Sequence, residues 1–413
     1  MNILFVGDFS FPFGSASASR IRHFALGLRA RGHGVRVLSQ RRLEPRMEDM
    51  TPGGVVEYRH IRYEGCSRSG SIKRRPIRHL LCRCQTLIQS MQDVPVMARR
   101  ARELARAGDV DVIIQYTLSY AALRPFFGFC RSLGIALVRD IVEWPAPSYF
   151  PGEGFLHPRF LDFQLGVRRA VLKSDGVIGI SDFVTSFYSR HGVPAVCVPA
   201  VIAVPEQPPL RPAPSPGDRD FVITYLGNLS PRNGPYEMLD GVRIALERGL
   251  PVRFVIVGSS GKAGEDRGIR QACERDPVLR SKVEFRGYLP DDEVTRALVS
   301  SDALLFARPD DTCAKAAFPT RLPEYLVSGR PVIAAAVGDI PKYLRHGTDA
   351  LLFPSGRSET IADHIGHLIA LPDHGEAIGR SGFERARQCF NSETNTEKLD
   401  WFLQDLVRRK THG

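Results

Sequence analysis

The side chains best placed for chemistry are Thr320, Arg321 and Glu324, within Phe318-Pro319-Thr320-Arg321-Leu322-Pro323-Glu324-Tyr325-Leu326-Val327-Ser328-Gly329-Arg330-Pro331-Val332. A helix that opens beside Thr320 and Arg321 presents free amides and a positive dipole end, which suits a phosphate. Glu324 lies about one turn further in, where a carboxylate can accept hydrogens from ribose hydroxyls. The competing reading is an ordinary amphipathic helix with a surface Glu. A second acidic pair, Asp140 and Glu143, follows the apolar run Ala136-Leu137-Val138. Ligands of open α/β sheets sit beyond the carboxyl ends of strands, so both are candidate catalytic acids. A turn acid and a helix cap would explain the same two residues.

These residues need elements to hold them. Pro319 pre-sets φ where a helix can begin, and Pro323 then falls in the first turn, where a missing amide hydrogen costs little. Gly329 is placed to end the helix in the left-handed conformation, and Pro331 prevents its resumption. Val332-Ile333-Ala334 reads as a short buried strand. Near the start of the chain, a buried parallel strand over 3–6 leads into a loop of small residues that includes Gly14 and Ser15. An amphipathic helix over 20–31 and a strand over 35–38 complete a βαβ opening. It lacks Gly-x-Gly-x-x-Gly, so a dinucleotide fingerprint is absent. Residues 204–219 are rich in proline and read as a stiff linker. A second βα series follows, with Gly227, Asn228, Arg232 and Asn233 after its first strand, Gly258 after its second, and Tyr288 and Leu289 after its third.

A chain of 413 residues exceeds one ordinary core, so two domains are expected. Its 43% hydrophobic and 24% charged residues exclude a disordered chain. No apolar run is long enough to span a bilayer, and the N-terminus lacks the basic region and cleavage site of a secretory signal. A cytoplasmic protein is expected. The eight cysteines show no zinc spacing, so no metal site is expected. A net charge of +11 points to an anionic partner, such as a nucleotide or anionic lipid. Residues 59–106 concentrate that charge, with Arg59, Arg62, Arg68, Lys73, Arg74, Arg75, Arg78, Arg83, Arg99, Arg100, Arg102 and Arg106 against three acids, Glu64, Asp93 and Glu103. Leu80, Leu81, Leu87, Ile88 and Met91 offer an apolar face among them. The segment is a candidate for peripheral attachment to an anionic membrane surface, the inner face of the cell membrane. A solvated basic face over a core-facing stripe is the plainer reading. Nucleic acid is not expected, because no aromatic platform is interleaved with the charges.

The opening stretch resembles the retaining glycosyltransferases of the GT-B fold, group GT4. Their signature pairs Glu-x7-Glu at a helix start with Ala-x-Gly-x-Pro-Val. Glu324 matches the second Glu, and Ser328-Gly329-Arg330-Pro331-Val332 matches the tail. The first Glu falls on Ala316 and is missing. Phe318-Pro319-Thr320-Arg321 followed by Glu324-Tyr325 is similar to a bacterial subgroup with Phe-Pro-[Ser/Thr]-[Lys/Arg]-x-x-Glu-Tyr, as is Asp140-x-x-Glu143-Trp144. Tyr225-Leu226-Gly227-Asn228-Leu229 resembles the family's Tyr-x-Gly-Arg-Leu-x-x-x-Lys-Gly. Asn228 stands for its Arg and Asn233 for its Lys. An amide cannot offset the charge of a diphosphate, so Arg232 or Arg321 has to substitute.

The resemblance implies two Rossmann-like doubly wound parallel-sheet α/β domains facing a central cleft. Residues 1–203 would form the acceptor side and 220–392 the nucleotide-sugar side, with the helix at 393–413 packing back on the first domain. It further implies that Gly14, Ser15, Gly227, Asn228, Arg232, Asn233, Gly258, Tyr288, Leu289, Thr320, Arg321 and Glu324 bind the donor, a UDP-sugar above others. No cofactor or metal would be needed. The implied activity is retaining transfer of a sugar from a nucleoside-diphosphate sugar to the hydroxyl of a saccharide or lipid-linked acceptor, in bacterial surface polysaccharide or glycolipid assembly. Two alternatives stand beside it. One is a nucleotide-sugar epimerase on the same fold. The other is a non-catalytic relative that binds a nucleotide or a membrane, suggested by the missing Glu, Arg and Lys.

Overall fold

The computed structural model describes residues 1–40, 56–66, 79–147, 154–211, 220–258 and 263–412, without the side chains of 79–92, 263–265 and 412. Arg68, Lys73, Arg74, Arg75 and Arg78 of the basic segment, residues 212–219 of the proline-rich linker, and the loop at 259–262 lie outside the described residues. So do the side chains of Arg83 and of the apolar face expected from Leu80 to Met91. The chain divides into two compact units, Met1–Val201 with Ser392–Gly413, and Ile202–Asn391.

Among the described residues the first unit is built on eight strands: β1 (Asn2–Gly7), β2 (Gly34–Ser39), β3 (Glu57–Tyr58), β4 (Ile61–Gly65), β5 (Val112–Tyr116), β6 (Ala136–Ile141), β7 (Gly176–Gly179) and β8 (Ala195–Cys197). Their order is β3-β4-β2-β1-β5-β6-β7-β8, and every pairing is parallel except the β3–β4 hairpin. Ile3, Leu4, Phe5 and Val6 are buried on both faces of the sheet, as a central parallel strand requires. The order reverses between β2 and β5 on either side of β1. The helix expected over 20–31 runs from Ala16 to Ala30, because the Ser15 hydroxyl caps it by accepting from the Ala18 amide at 3.1 Å.

The final helix, Ser392–His412, belongs to this unit. Leu399, Leu403 and Leu406 join its core together with Phe5, Phe24 and Val138. Its contact with Ala16–Ala30 is close: a Cβ on Gly27 would stand 2.5 Å from the Thr396 hydroxyl. Arg31 and His33 meet Asp400 at 3.0 and 2.7 Å.

Among its described residues the second unit has six strands: β9 (Phe221–Leu226), β10 (Val252–Val257), β11 (Val283–Gly287), β12 (Ala303–Phe306), β13 (Val332–Ala335) and β14 (Leu351–Phe353). They are all parallel, in the order β11-β10-β9-β12-β13-β14. The reversal falls between β9 and β12, and a crevice at the carboxyl ends of such strands is the usual ligand position of a doubly wound sheet. The helix expected from Pro319 begins at Arg321 and ends at Val327. Gly329 follows with φ +70°, the left-handed conformation its position required.

Candidate functional site

At the carboxyl end of the second sheet, three glycines close three adjacent strands. Gly227 follows β9, Gly258 follows β10, and Gly287 ends β11. The Gly227 amide donates to Val257 at 2.8 Å and the Gly258 amide to Gly287 at 2.6 Å. A Cβ on Gly258 would lie 2.5 Å from the Gly227 carbonyl oxygen, and its φ is +114°. Only glycine leaves the backbone this open to a neighbouring chain or ligand.

The helix Arg321–Val327 is locked to this edge by two tyrosines. The buried Tyr325 hydroxyl accepts from the Leu226 amide at 2.6 Å. Tyr225, at the end of β9, donates its hydroxyl to the Asn228 carbonyl at 2.7 Å and accepts from Arg321 Nη1 at 2.6 Å. The Arg321 guanidinium stacks 5.2 Å from the Tyr225 ring centroid. It covers Gly227 so closely that a Cβ there would stand on the guanidinium itself. Glycine at 227 is therefore what admits the arginine. Burial, partly offset by Arg321, holds the Tyr225 phenol above its ordinary pKa, so it is a neutral hydrogen-bonding group.

Glu324, one turn along, is exposed. Protein nevertheless surrounds its carboxylate closely enough to raise its pKa, with Arg321 opposing and Asp291 adding to the rise. Thr320 is exposed and makes no side-chain cap. The helix has seven residues, so its dipole is short and the charge on Arg321 dominates the anion chemistry here.

Asn228 and Asn233 bind each other. The Asn233 amide donates to the Asn228 side-chain oxygen at 2.6 Å and to its carbonyl at 3.0 Å. The same Asn228 oxygen accepts from the Ser230 amide at 3.2 Å. This pair staples the turn before the helix Pro235–Glu247 and supplies no charge. Arg232, in that turn, is exposed. Tyr288 is 83% exposed just beyond Gly287, while Leu289 packs against Val255, Val257 and Ala297. Ala316, where the family's first Glu would stand, is fully buried.

One cation was absent from the sequence reading. Arg308 lies two residues past β12, on the other side of the strand-order reversal, and near enough to Tyr225 to oppose the rise in its pKa. Knowing that β9 and β12 are neighbours would have identified it, but strand order is not written in local sequence.

In the first unit, Gly14 has φ +101° and is exposed, and Ser15 caps the first long helix. Asp140 does not occupy the role its position suggested. It is 1% exposed and held by Arg20, whose Nε reaches its two oxygens at 3.2 and 3.0 Å and whose Nη2 reaches one at 3.0 Å. Arg20 also donates to the Pro199 and Val198 carbonyls at 2.8 and 3.0 Å. The carboxylate is consumed by a structural pair, and a catalytic role for Asp140 is corrected on that ground. Glu143 is half-buried past the end of β6. With Asp140 and Asp8 it adds to the rise that burial imposes on the Tyr116 phenol. Asp8, Tyr116 and Glu143 thus gather at the carboxyl ends of β1, β5 and β6.

Among the described residues, no helix is long and apolar enough to cross a membrane.

Residues 220–370 match the family described as Glycosyl transferases group 1. The D-inositol 3-phosphate glycosyltransferase of Actinosynnema mirum is 25% identical over 258 residues, 57% of this chain and 58% of that protein. The chain spans about half the length of the curated relatives it matches. Sucrose-phosphate synthase from Thermosynechococcus elongatus superposes with a TM-score of 0.72 at 17% identity, covering 99% of this chain and 100% of that one. Anabaena HepE in complex with UDP-glucose gives 0.67 at 18%, covering 98% and 99%. The two parallel-sheet units are those of the GT-B fold.

Proposed function

We propose that this protein is a glycosyltransferase of group 1 that takes a sugar from a nucleoside-diphosphate donor, a UDP-sugar before others, and transfers it with retention to an acceptor hydroxyl. The observation that carries the reading is the arrangement at the end of β9. The Arg321 guanidinium lies on Gly227 and against Tyr225, with Glu324 exposed one turn away on the same helix. A diphosphate needs cations, and a ribose needs an acceptor for its hydroxyl hydrogens.

In this reading Arg321 meets the diphosphate, with Arg308 and Arg232 as further positive charge. Glu324 accepts from the ribose hydroxyls. The glycines at 227 and 258 let the donor approach the backbone, while Tyr288 and Leu289 line the base. Fixed positive groups that face the leaving diphosphate stabilise its growing charge, and no metal is needed for that role. The leaving phosphate oxygen takes the proton of the acceptor hydroxyl, so no protein base is assigned. Glu143 positions the acceptor, while Gly14 and Ser15 belong with the donor. The acceptor is a saccharide or lipid-linked sugar of surface polysaccharide or glycolipid assembly, met at the inner face of the cell membrane.

The Asn228–Asn233 pair favours one second reading, a non-catalytic nucleotide-binding relative, because it replaces two cations with a self-satisfied staple. Calorimetric titration with UDP, GDP, ADP and TDP addresses both. Selective binding of one nucleotide, weakened by Glu324→Ala, supports the donor site. Binding without turnover of any sugar donor would favour the second reading, and failure of all four nucleotides to bind would overturn both.

A further inference from the structure

The second unit contains a cavity of about 400 Å³ at the opposite, amino-terminal edge of its sheet. Phe221 opens β9, Asp302 stands just before β12, and Arg330 and Pro331 lead into β13. The candidate donor site is at the other end of these strands, about 20 Å away along the six residues of β9. The two cannot share a small ligand.

The cavity is a built one. The helix Pro372–Cys389 forms one wall and approaches so closely that a Cβ on Gly379 would collide with the Gly329 carbonyl. Pro208 closes over Gly329, where a Cβ would lie 2.9 Å from its ring. Leu368, Ile369, Pro251 and Pro331 supply apolar surface.

Six charged residues line it, and five of them are accounted for. Arg211 pairs with Asp302, which also accepts from the Val222 amide at 2.7 Å. Lys282 binds Asp220 at 2.8 Å, and Arg380 faces Glu376 at 3.8 Å. The exception is Arg330. Its side chain makes no ion pair or hydrogen bond among the described residues, and its Nε is buried without a partner. Burial and the neighbouring Arg211 both depress its pKa, and Glu376 and Asp302 offset this only in part. The buried Nε is itself closed to a ligand, and the terminal guanidinium nitrogens, which are not among the buried unpaired atoms, are the donors that the cavity can reach.

We propose that this cavity is a second binding site, for a small oxyanion carried on a compact organic body, with Arg330 as its anchor. The guanidinium supplies a fork of donors for a phosphate or carboxylate, and the apolar wall takes the body of the ligand. The volume lies in the range of small-molecule sites.

The test is calorimetry on the full chain at constant ionic strength, with inorganic phosphate in one arm and succinate in the other. Saturable binding of about one equivalent is expected in at least one arm, and the arm that binds assigns phosphate or carboxylate. Arg330→Gln is expected to weaken that binding by about tenfold or more, the loss of a charge-assisted hydrogen bond. Arg330→Met is run beside it, because its apolar chain suits the wall and removes the burial cost, which secures a folded variant. Arg321→Gln, at the other end of the sheet, is expected to leave this binding unchanged, and UDP binding is read separately. The proposal is overturned if neither anion binds saturably, if affinity is the same in the Arg330 variants, or if Arg321→Gln abolishes it.

Discussion

The contact between Arg321 and Gly227 yields a quantitative prediction. Arg321 is the cation nearest the end of β9, and Gly227 is the residue whose missing side chain admits it. Arg321→Gln removes a charge-assisted hydrogen bond to the diphosphate, a loss of roughly 1.5–3 kcal/mol. At 1.4 kcal/mol per decade, the Kd for UDP rises about 10- to 150-fold. Gly227→Ala attacks the same contact from the other side, because its Cβ takes the place of the guanidinium. The two substitutions therefore couple. In the Gly227→Ala background the further cost of Arg321→Gln shrinks to within about twofold, far from additive. Calorimetry with UDP on the four proteins of the cycle measures this. Gly227 has φ +148°, so some loss of stability accompanies the alanine, and thermal unfolding of each variant keeps it separate from affinity. Equal costs of Arg321→Gln in both backgrounds, or no cost in either, would refute the assignment.

Other consequences are as direct. Burial raises the pKa of Glu324, and ribose hydroxyls donate to the ionised form. UDP affinity should therefore be full at neutral pH and fall as pH drops through a value above that of an ordinary glutamate; Glu324→Gln should flatten the profile, read by titration at a series of pH values. Asp140→Asn leaves Arg20 buried without its counter-charge, and equilibrium unfolding in urea should show a loss of about 3–5 kcal/mol. Burial opposes ionisation of Asp400, but bonds from Gln404, Arg31 and His33 prevail and lower its pKa. Its contribution to stability is complete above the unfolded aspartate pKa and is lost as pH falls through the lowered folded value. The urea midpoint of Asp400→Asn should thus depend less on pH in acid than that of the parent.

Much of this site is legible in the chain because its signals are local. Gly329 and Pro331 mark where a helix must stop, and the structure stops it there. The alternation of short apolar runs with amphipathic stretches marks parallel sheets, and both units have them. The absence of charge at Asn228 and Asn233 is equally visible, as is the need for another cation. What stays hidden depends on contacts distant in sequence. Arg20 and Asp140 are 120 residues apart, and nothing in the spacing of Asp140 and Glu143 shows that one is neutralised in the core while the other remains at the sheet edge. The charge of Arg308 is felt at Tyr225 only because β12 lies beside β9. The helix at Arg321 starts later than Pro319 suggests because the preceding stretch is held by packing. Phe318 is buried against Tyr343 and Phe390, with ring centroids at 5.3 and 5.4 Å.

The most direct test of the central claim follows the anomeric carbon. The protein is incubated with UDP-glucose, UDP-galactose and UDP-N-acetylglucosamine, each labelled with carbon-13 at that position, with and without acceptor saccharides. Early spectra are recorded before free sugar can mutarotate. The account predicts that one donor is consumed and that the first product, transferred or slowly released to water, keeps the α configuration, with the rate lost in Glu324→Ala and Arg321→Gln. A β product would contradict retention. No consumption of any donor by a protein that binds UDP would contradict transfer itself and favour the non-catalytic reading.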